Sequence, residues 1–252
     1  MTEKEMSLLE HIIELRGRVF RAVVVWLVAT VIATIFVESH IMPWLLRPLG
    51  SVAGVKIIVL SPAEGAITYF KIALVGGFSV ALPYILFEIY GFIAPGLYKA
   101  ERVTYLLGIP TAIVLFVIGA IFTVEVLLPP SLTALSGIFS KDVESQYSLQ
   151  YYLSFFTMLV FWMGLIFQTP LVIYVIARLG AVTPQLLAKG RRIVWFLAVV
   201  AAAIVTPTPD PITMLLVTAP FIVLYEIGIL LSHIGARQRA RSGEAAEAAN
   251  SE

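Results

Sequence analysis

Residues 8–37 read LLEHIIELRGRVFRAVVVWLVATVIATIFV. The first fourteen are charged and amphipathic. The sixteen that follow, from Ala22 to Val37, carry no charge. With its flank this run reaches the roughly 20 apolar residues that a membrane-spanning helix needs. A secretory signal peptide has a shorter apolar region and a small-x-small cleavage site. The ESHIMPW that follows at 38–44 offers none, so the first helix is expected to stay on the chain.

Composition extends this reading to the whole chain. Of 252 residues, 60% are hydrophobic and 13% are charged, where a soluble domain carries roughly a quarter charged residues. The excess apolar surface needs lipid. A net charge of +1 points to no nucleic acid, and the absence of cysteine excludes disulfide and thiol chemistry.

Hydropathy gives six spans, at about 19–37, 66–91, 104–127, 152–177, 193–206 and 212–232. The fifth is short, near 15 residues, and a Pro-rich TPTPDP separates it from the sixth. With six spans both termini lie on one side. Thirteen of the seventeen Lys and Arg residues fall on that side, and only Arg47, Lys56, Lys71 and Lys141 fall on the other. Positive residues stay in the cytoplasm, so both termini are expected there.

The expected fold is therefore all-α: one polytopic six-helix domain over 1–236 and a disordered cytoplasmic tail over 237–252. Ser61-Pro62-Ala63-Glu64 reads as a cap, a first-turn proline and a capping-box acid that start the second helix. Pro83, Pro110, Pro170 and Pro220 lie inside spans and should kink them, giving a concave bundle. The outer loops at 38–65 and 128–151 are long enough to fold over the outer face. No internal repeat is visible, which counts against the symmetric architecture of many transporters.

Motifs for chemistry are missing. There is no P-loop and no dinucleotide fingerprint. His11, His40 and His233 have no metal-ligand spacing, and no serine lies in GxSxG. No cofactor and no enzyme activity are expected.

Charge at the cytoplasmic surface remains. Leu8, Ile12, Leu15 and Val19 make one apolar helix face. Glu10, Glu14 and Arg18 share another, and Glu14–Arg18 at i,i+4 is worth a few tenths of a kcal/mol. A second cluster, FIAPGLYKAER at 92–102, lies between the second and third spans. Taken alone, the two clusters read as an interfacial helix and an aromatic, positively charged anchor. The KGRR at 189–192 before the fifth span reads as another such anchor.

Four segments in order carry a resemblance: HIIELRGRV at 11–19, LSPAEG at 60–65, ALPYILFEIYGFIAPGLYKAER at 81–102 and LYEIGILLS at 224–232. Together they resemble the TatC subunit of the twin-arginine protein translocase, from about Leu8 to Ser232. The resemblance implies a receptor for signal peptides with adjacent arginines, in a prokaryotic cell membrane. It also implies export of folded proteins with TatA- and TatB-type partners in an oligomeric complex, driven by the protonmotive force.

The resemblance assigns residues as well. Glu14 and Glu101 are the matching arginine acceptors, which suits the planar fork that a guanidinium presents to a carboxylate. Arg16 would position Glu14 or the N-terminal segment. Phe92, Pro95 and Tyr98 would shape the apolar side of the groove, and Lys99 and Arg102 would discourage the wrong charge or orient Glu101. Gln168, Thr206, Asp210 and Met214 are the expected contacts for a partner helix. Gln168 stands where relatives often carry Glu, and Met214 where some carry a polar residue. Glu226 matches a family acid and is read as a packing residue near the cytoplasmic side. Glu88 and Glu125 depart from the pattern, and no role is read for either. Two rivals stand beside this reading. A secondary transporter of a small solute would need ionisable groups at mid-membrane, and few are present. An intramembrane enzyme would need a nucleophile–base pair, and none is visible.

Overall fold

A computed structural model describes residues 8–51, 56–93, 102–137, 146–206 and 210–250. The chain is an all-α, polytopic membrane protein. Helix α1 spans Leu8–Phe36 and runs through a π-helical turn, Val37–Ile41, into the short α2, Met42–Leu46. Strand β1, Lys56–Ile58, precedes α3, Pro62–Ile93. Helix α4, Arg102–Phe122, passes through a second π-helical turn, Thr123–Leu127, into α5, Leu128–Gly137. After β2, Gln146–Ser148, come α6, Leu149–Ile166, α7, Thr169–Leu179, α8, Pro184–Val205, and α9, Pro211–Asn250.

Five stretches among these are long and apolar enough to cross a membrane: His11–Leu49, Pro62–Ile89, Gly108–Ala134, Leu149–Leu179 and Pro211–Ala240. Helix α8 differs from the expected short span. It has 22 residues, about 33 Å at 1.5 Å each. The run at 193–206 is only its apolar half, because Thr183 caps the helix well before the charged KGRR segment begins. Helix α9 also runs further than composition suggests. Its last turns pass through Ser242–Asn250, where an irregular tail is expected. The Ala and Glu of that segment are strong helix formers and continue the helix.

Proline acts in two ways. Pro83, Pro110 and Pro220 lie inside unbroken helices. Pro170 does not sit inside one: the fourth span is interrupted at Phe167–Gln168, and Pro170 lies in the first turn of α7. Proline cannot donate to the preceding turn, and at N1 or N2 that donor has no intrahelical use.

The core is built around α6. Leu153, Phe156, Leu159 and Met163 are fully buried and pack with Val37, Leu45, Ile72, Val124, Leu127 and Leu128. Helix α1 packs along α3, and α9 along both α7 and α8. The α1–α3 contact needs a glycine. A Cβ at Gly77 would lie 2.4 Å from the Thr30 Cα, so only a bare backbone lets the helices meet, as small residues do between membrane helices. Away from the core, Val31 and Ile35 are about 70% exposed, as a lipid-facing surface requires.

The segments that lead into α3 and α6 meet. Strands β1 and β2 pair in parallel, Lys56 with Gln146 through Ile58 with Ser148. The capping box at Ser61–Glu64 forms, with Glu64 accepting from the Leu60 N–H at 2.5 Å and the Ser61 N–H at 3.3 Å. The same carboxylate accepts from the Gln150 N–H at 2.7 Å and from the Ser148 hydroxyl. One buried acid therefore ties together the first turns of α3 and α6.

Candidate functional site at the ends of α1 and α3

The N-terminal turns of α1 lie against the C-terminal turns of α3, and charge holds them there. The apolar face of α1 points outward: Ile12, Leu15 and Val19 are all exposed. Its charged face meets α3. Arg18 donates through Nε and Nη2 to Glu14 Oε1, at 2.9 and 2.7 Å, and through Nη1 to Glu88 Oε2 at 3.2 Å. Arg21 donates to both Glu88 oxygens, at 2.8 and 3.0 Å, in the bidentate geometry that suits a guanidinium. The Tyr84 hydroxyl, one turn before Glu88, adds a third donor at 2.8 Å.

The network joins two carboxylates to two guanidiniums, so its formal charge is zero. Burial is uneven: the Glu88 side chain is 5% exposed, Arg18 20%, Glu14 26% and Arg21 53%. A carboxylate this buried needs its partners, since an unpaired charge away from water is costly. Gly91 makes space for Arg18, because a Cβ there would lie 2.3 Å from Nη1. One turn beyond, the His11 and Phe92 rings stack, with centroids 4.3 Å apart. Phe92, the first residue of the second cluster, thus touches His11 of the first, and the start of α1 and the end of α3 share one surface.

Two sequence readings change here. Arg16 is exposed and makes no ion pair among the described residues, whereas Arg18 sits at Glu14. Helix geometry decides this: i,i+4 side chains face each other and i,i+2 side chains do not. Glu88, to which no role was given, is the centre of the network. The readable signal is an acid one residue before the middle of the apolar run ILFEIYGFI, because such an acid requires a partner. Pro95, Tyr98, Lys99 and Glu101 lie outside the described residues, as does the side chain of Arg102.

The expected partner-contact residues occupy two places. Gln168 sits at the break between α6 and α7. Its Nε2 donates to the Ala112 carbonyl of α4 at 2.8 Å, while its buried Oε1 has no partner among the described residues. Thr206, Asp210 and Met214 surround the α8–α9 connection. The Thr206 hydroxyl donates back to the Ala202 carbonyl at 2.8 Å, and Asp210 Oδ1 caps α9 by accepting from the Thr213 N–H at 2.6 Å. Met214 packs partly buried against the core.

At the other end of α8, Arg191 pairs with Glu226 of α9 at 2.8 Å, and the Tyr225 hydroxyl donates to the Leu187 carbonyl at 2.8 Å. The KGRR segment is thereby fastened to the bundle, and Glu226 is the packing acid expected. Glu125 lies exposed in the second π-helical turn. No group of three or more His, Asp or Glu side chains suited to a metal occurs among the described residues.

Residues 10–220 match the family model described as Sec-independent protein translocase protein (TatC). The chain is 35% identical to the Sec-independent protein translocase protein TatC of Aquifex aeolicus over 237 residues, 93% of this chain and 98% of that one. It is 33% identical to TatCd of Bacillus subtilis over 248 residues, 98% of this chain and 100% of that one. A crystal structure of the twin-arginine translocase receptor TatC superposes with a TM-score of 0.79 at 35% identity, covering 90% of this chain and 99% of the other.

Proposed function

The chain belongs to the TatC family of Sec-independent protein translocase proteins, and from that premise we propose that it is the membrane receptor for twin-arginine signal peptides and the core of a translocase for folded proteins. The observation that carries the proposal is the docking of the charged start of α1 on the end of α3. His11 against Phe92, and Arg18 and Arg21 on Glu88, hold Glu14 beside the end of α3. The chain leading to Glu101 begins there. A peptide with adjacent arginines needs two carboxylate acceptors on one surface, and Glu14 and Glu101 are assigned as that pair. Pro95, Tyr98, Lys99 and Arg102 are assigned to the same groove.

The rest of the function is proposed on the same footing. Both termini face the cytoplasm of a prokaryotic cell. TatA- and TatB-type single-span subunits contact the region of Gln168, Thr206, Asp210 and Met214. The protonmotive force drives transport, and the protein is a receptor and not an enzyme.

The test is site-specific photocrosslinking from positions 14 and 101 to a twin-arginine signal peptide, with a Lys-Lys version as control. Crosslinks that vanish with Lys-Lys are expected. Equal crosslinking of both peptides would reduce the surface to a nonspecific acidic patch and sink the receptor reading.

A further inference from the structure

Glu14 is already occupied. The residue assigned to receive an arginine from a signal peptide holds an arginine of its own chain, through two N–H donors on one carboxylate oxygen. The guanidinium of Arg18 is seated on three sides: Glu14 on α1, Glu88 on α3, and the bare backbone of Gly91, where an added Cβ would lie 2.3 Å from Nη1 as it stands. This is what a guanidinium-binding seat looks like with a guanidinium in it.

We propose that Arg18 is an internal stand-in for a signal-peptide arginine, and that Glu88 is the positioning residue that receives Arg18 when the peptide takes Glu14. The inference rests on the receptor reading above and adds a specificity device to it.

A carboxylate paired bidentately with an incoming guanidinium cannot keep two donors from Arg18 as well. Binding at Glu14 is therefore an exchange of one arginine for another, and only the difference between them contributes to affinity. A weaker ligand such as an ammonium, which offers a point charge and no planar fork, loses that exchange. The displaced Arg18 stays beside a carboxylate, because its Nη1 is already on Glu88 at 3.2 Å. Glu88 is held by Arg21 and Tyr84 and does not follow Arg18 away. The device rejects a single weak cation and admits a planar one at little net cost.

The experiment measures the affinity of a synthetic twin-arginine signal peptide, and of its Lys-Lys version, for the full chain in lipid nanodiscs. Arg18→Gln vacates Glu14 and should tighten the twin-arginine peptide about tenfold, or about 1.4 kcal/mol. The Lys-Lys peptide should also gain, and by more, because the arginine it could not displace is gone. The twin-arginine to Lys-Lys affinity ratio should therefore fall at least threefold. Glu88→Gln removes the receiving charge, leaves Arg18 leaning on Glu14 alone, and should weaken the twin-arginine peptide several-fold. Opposite signs for the two substitutions are the signature. A purely structural role for the network predicts weaker binding from both.

Arg18→Lys keeps a charge and a long stem, so it guards against loss of folding, which size-exclusion chromatography checks directly. It should give a smaller gain of about threefold. If Arg18→Gln and Arg18→Lys leave binding unchanged or weaken it while Glu14→Gln abolishes it, the stand-in is wrong and the receptor site stands. If Glu14→Gln binds the peptide as tightly as the unaltered chain, the receptor assignment of Glu14 fails and the exchange fails with it.

Discussion

Ser148 and Glu64 are joined by a hydrogen bond from the serine hydroxyl to a carboxylate that is 2% exposed. Ser148 caps α6, and Glu64 closes the capping box of α3. Four donors converge on this one acid, and three of them are backbone N–H groups that cannot turn away. Replacing Glu64 by Gln puts an amide NH2 where only acceptors fit. The substitution should lower the thermal unfolding midpoint in detergent by roughly 5 °C or more. A midpoint unchanged within a degree would show that the clasp contributes nothing to stability.

Gly77→Ala tests the contact between α1 and α3. The new Cβ would meet backbone and side-chain atoms of Thr30 at 2.4 to 2.5 Å, and a backbone cannot rotate aside. Overpacking of this kind costs about 1–3 kcal/mol. Chemical unfolding of the purified variant should show it. The nearby Gly65→Ala, with nothing within 4 Å of the added Cβ, should be close to neutral and serves as the control.

Gln168→Leu removes the hydrogen bond to Ala112 and, with it, the buried oxygen that has no partner among the described residues. The two effects oppose each other. A membrane interhelical hydrogen bond averages about 0.6 kcal/mol, so the expected change in stability is under about 1 kcal/mol. Export of a folded reporter should fall far more than stability does, if the orphaned oxygen faces a partner helix. Export at the unaltered level would remove Gln168 from the partner contact.

Asp210→Ala removes the cap of α9 and leaves the buried Thr213 N–H without its acceptor. Loss of a cap costs typically about 1 kcal/mol. Thermal unfolding of the purified variant should register it, and Asp210→Asn, which keeps an acceptor oxygen, should recover most of the loss.

Because the chain contains no cysteine, single cysteines report orientation directly. A cysteine at Ser39, in the exposed π-helical turn after α1, should react with an impermeant maleimide added to intact cells. One at Ser242 should react only after the membrane is opened. The reverse pattern would invert the proposed topology.

The spans were legible because hydropathy is a sum over twenty residues and tolerates local error. Their ends were less so. The apolar half of α8 was visible, while its charged half looked like a loop until Thr183 placed the cap. The break at Phe167–Gln168 was misread as a kink because Pro170 marks a boundary without saying on which side the helix fails. In the site, Glu14–Arg18 was readable from a spacing of four. That Glu88 needs a partner was readable from its apolar surroundings, but which partner was not, because Arg18 and Arg21 lie 70 and 67 residues away. No local pattern connects them, and only the packing of α1 on α3 brings them together.

The clasp between Glu64 and Ser148 also sets an order of events in biosynthesis. The two residues are 84 positions apart, and ribosomes add about 5–20 residues per second. For roughly 4 to 17 seconds after Glu64 is made, its carboxylate has only the donors of its own helix start. The clasp therefore cannot close until the chain has been made as far as the fourth span, and a nascent chain halted before Ser148 should expose the segment that precedes α3 to protease.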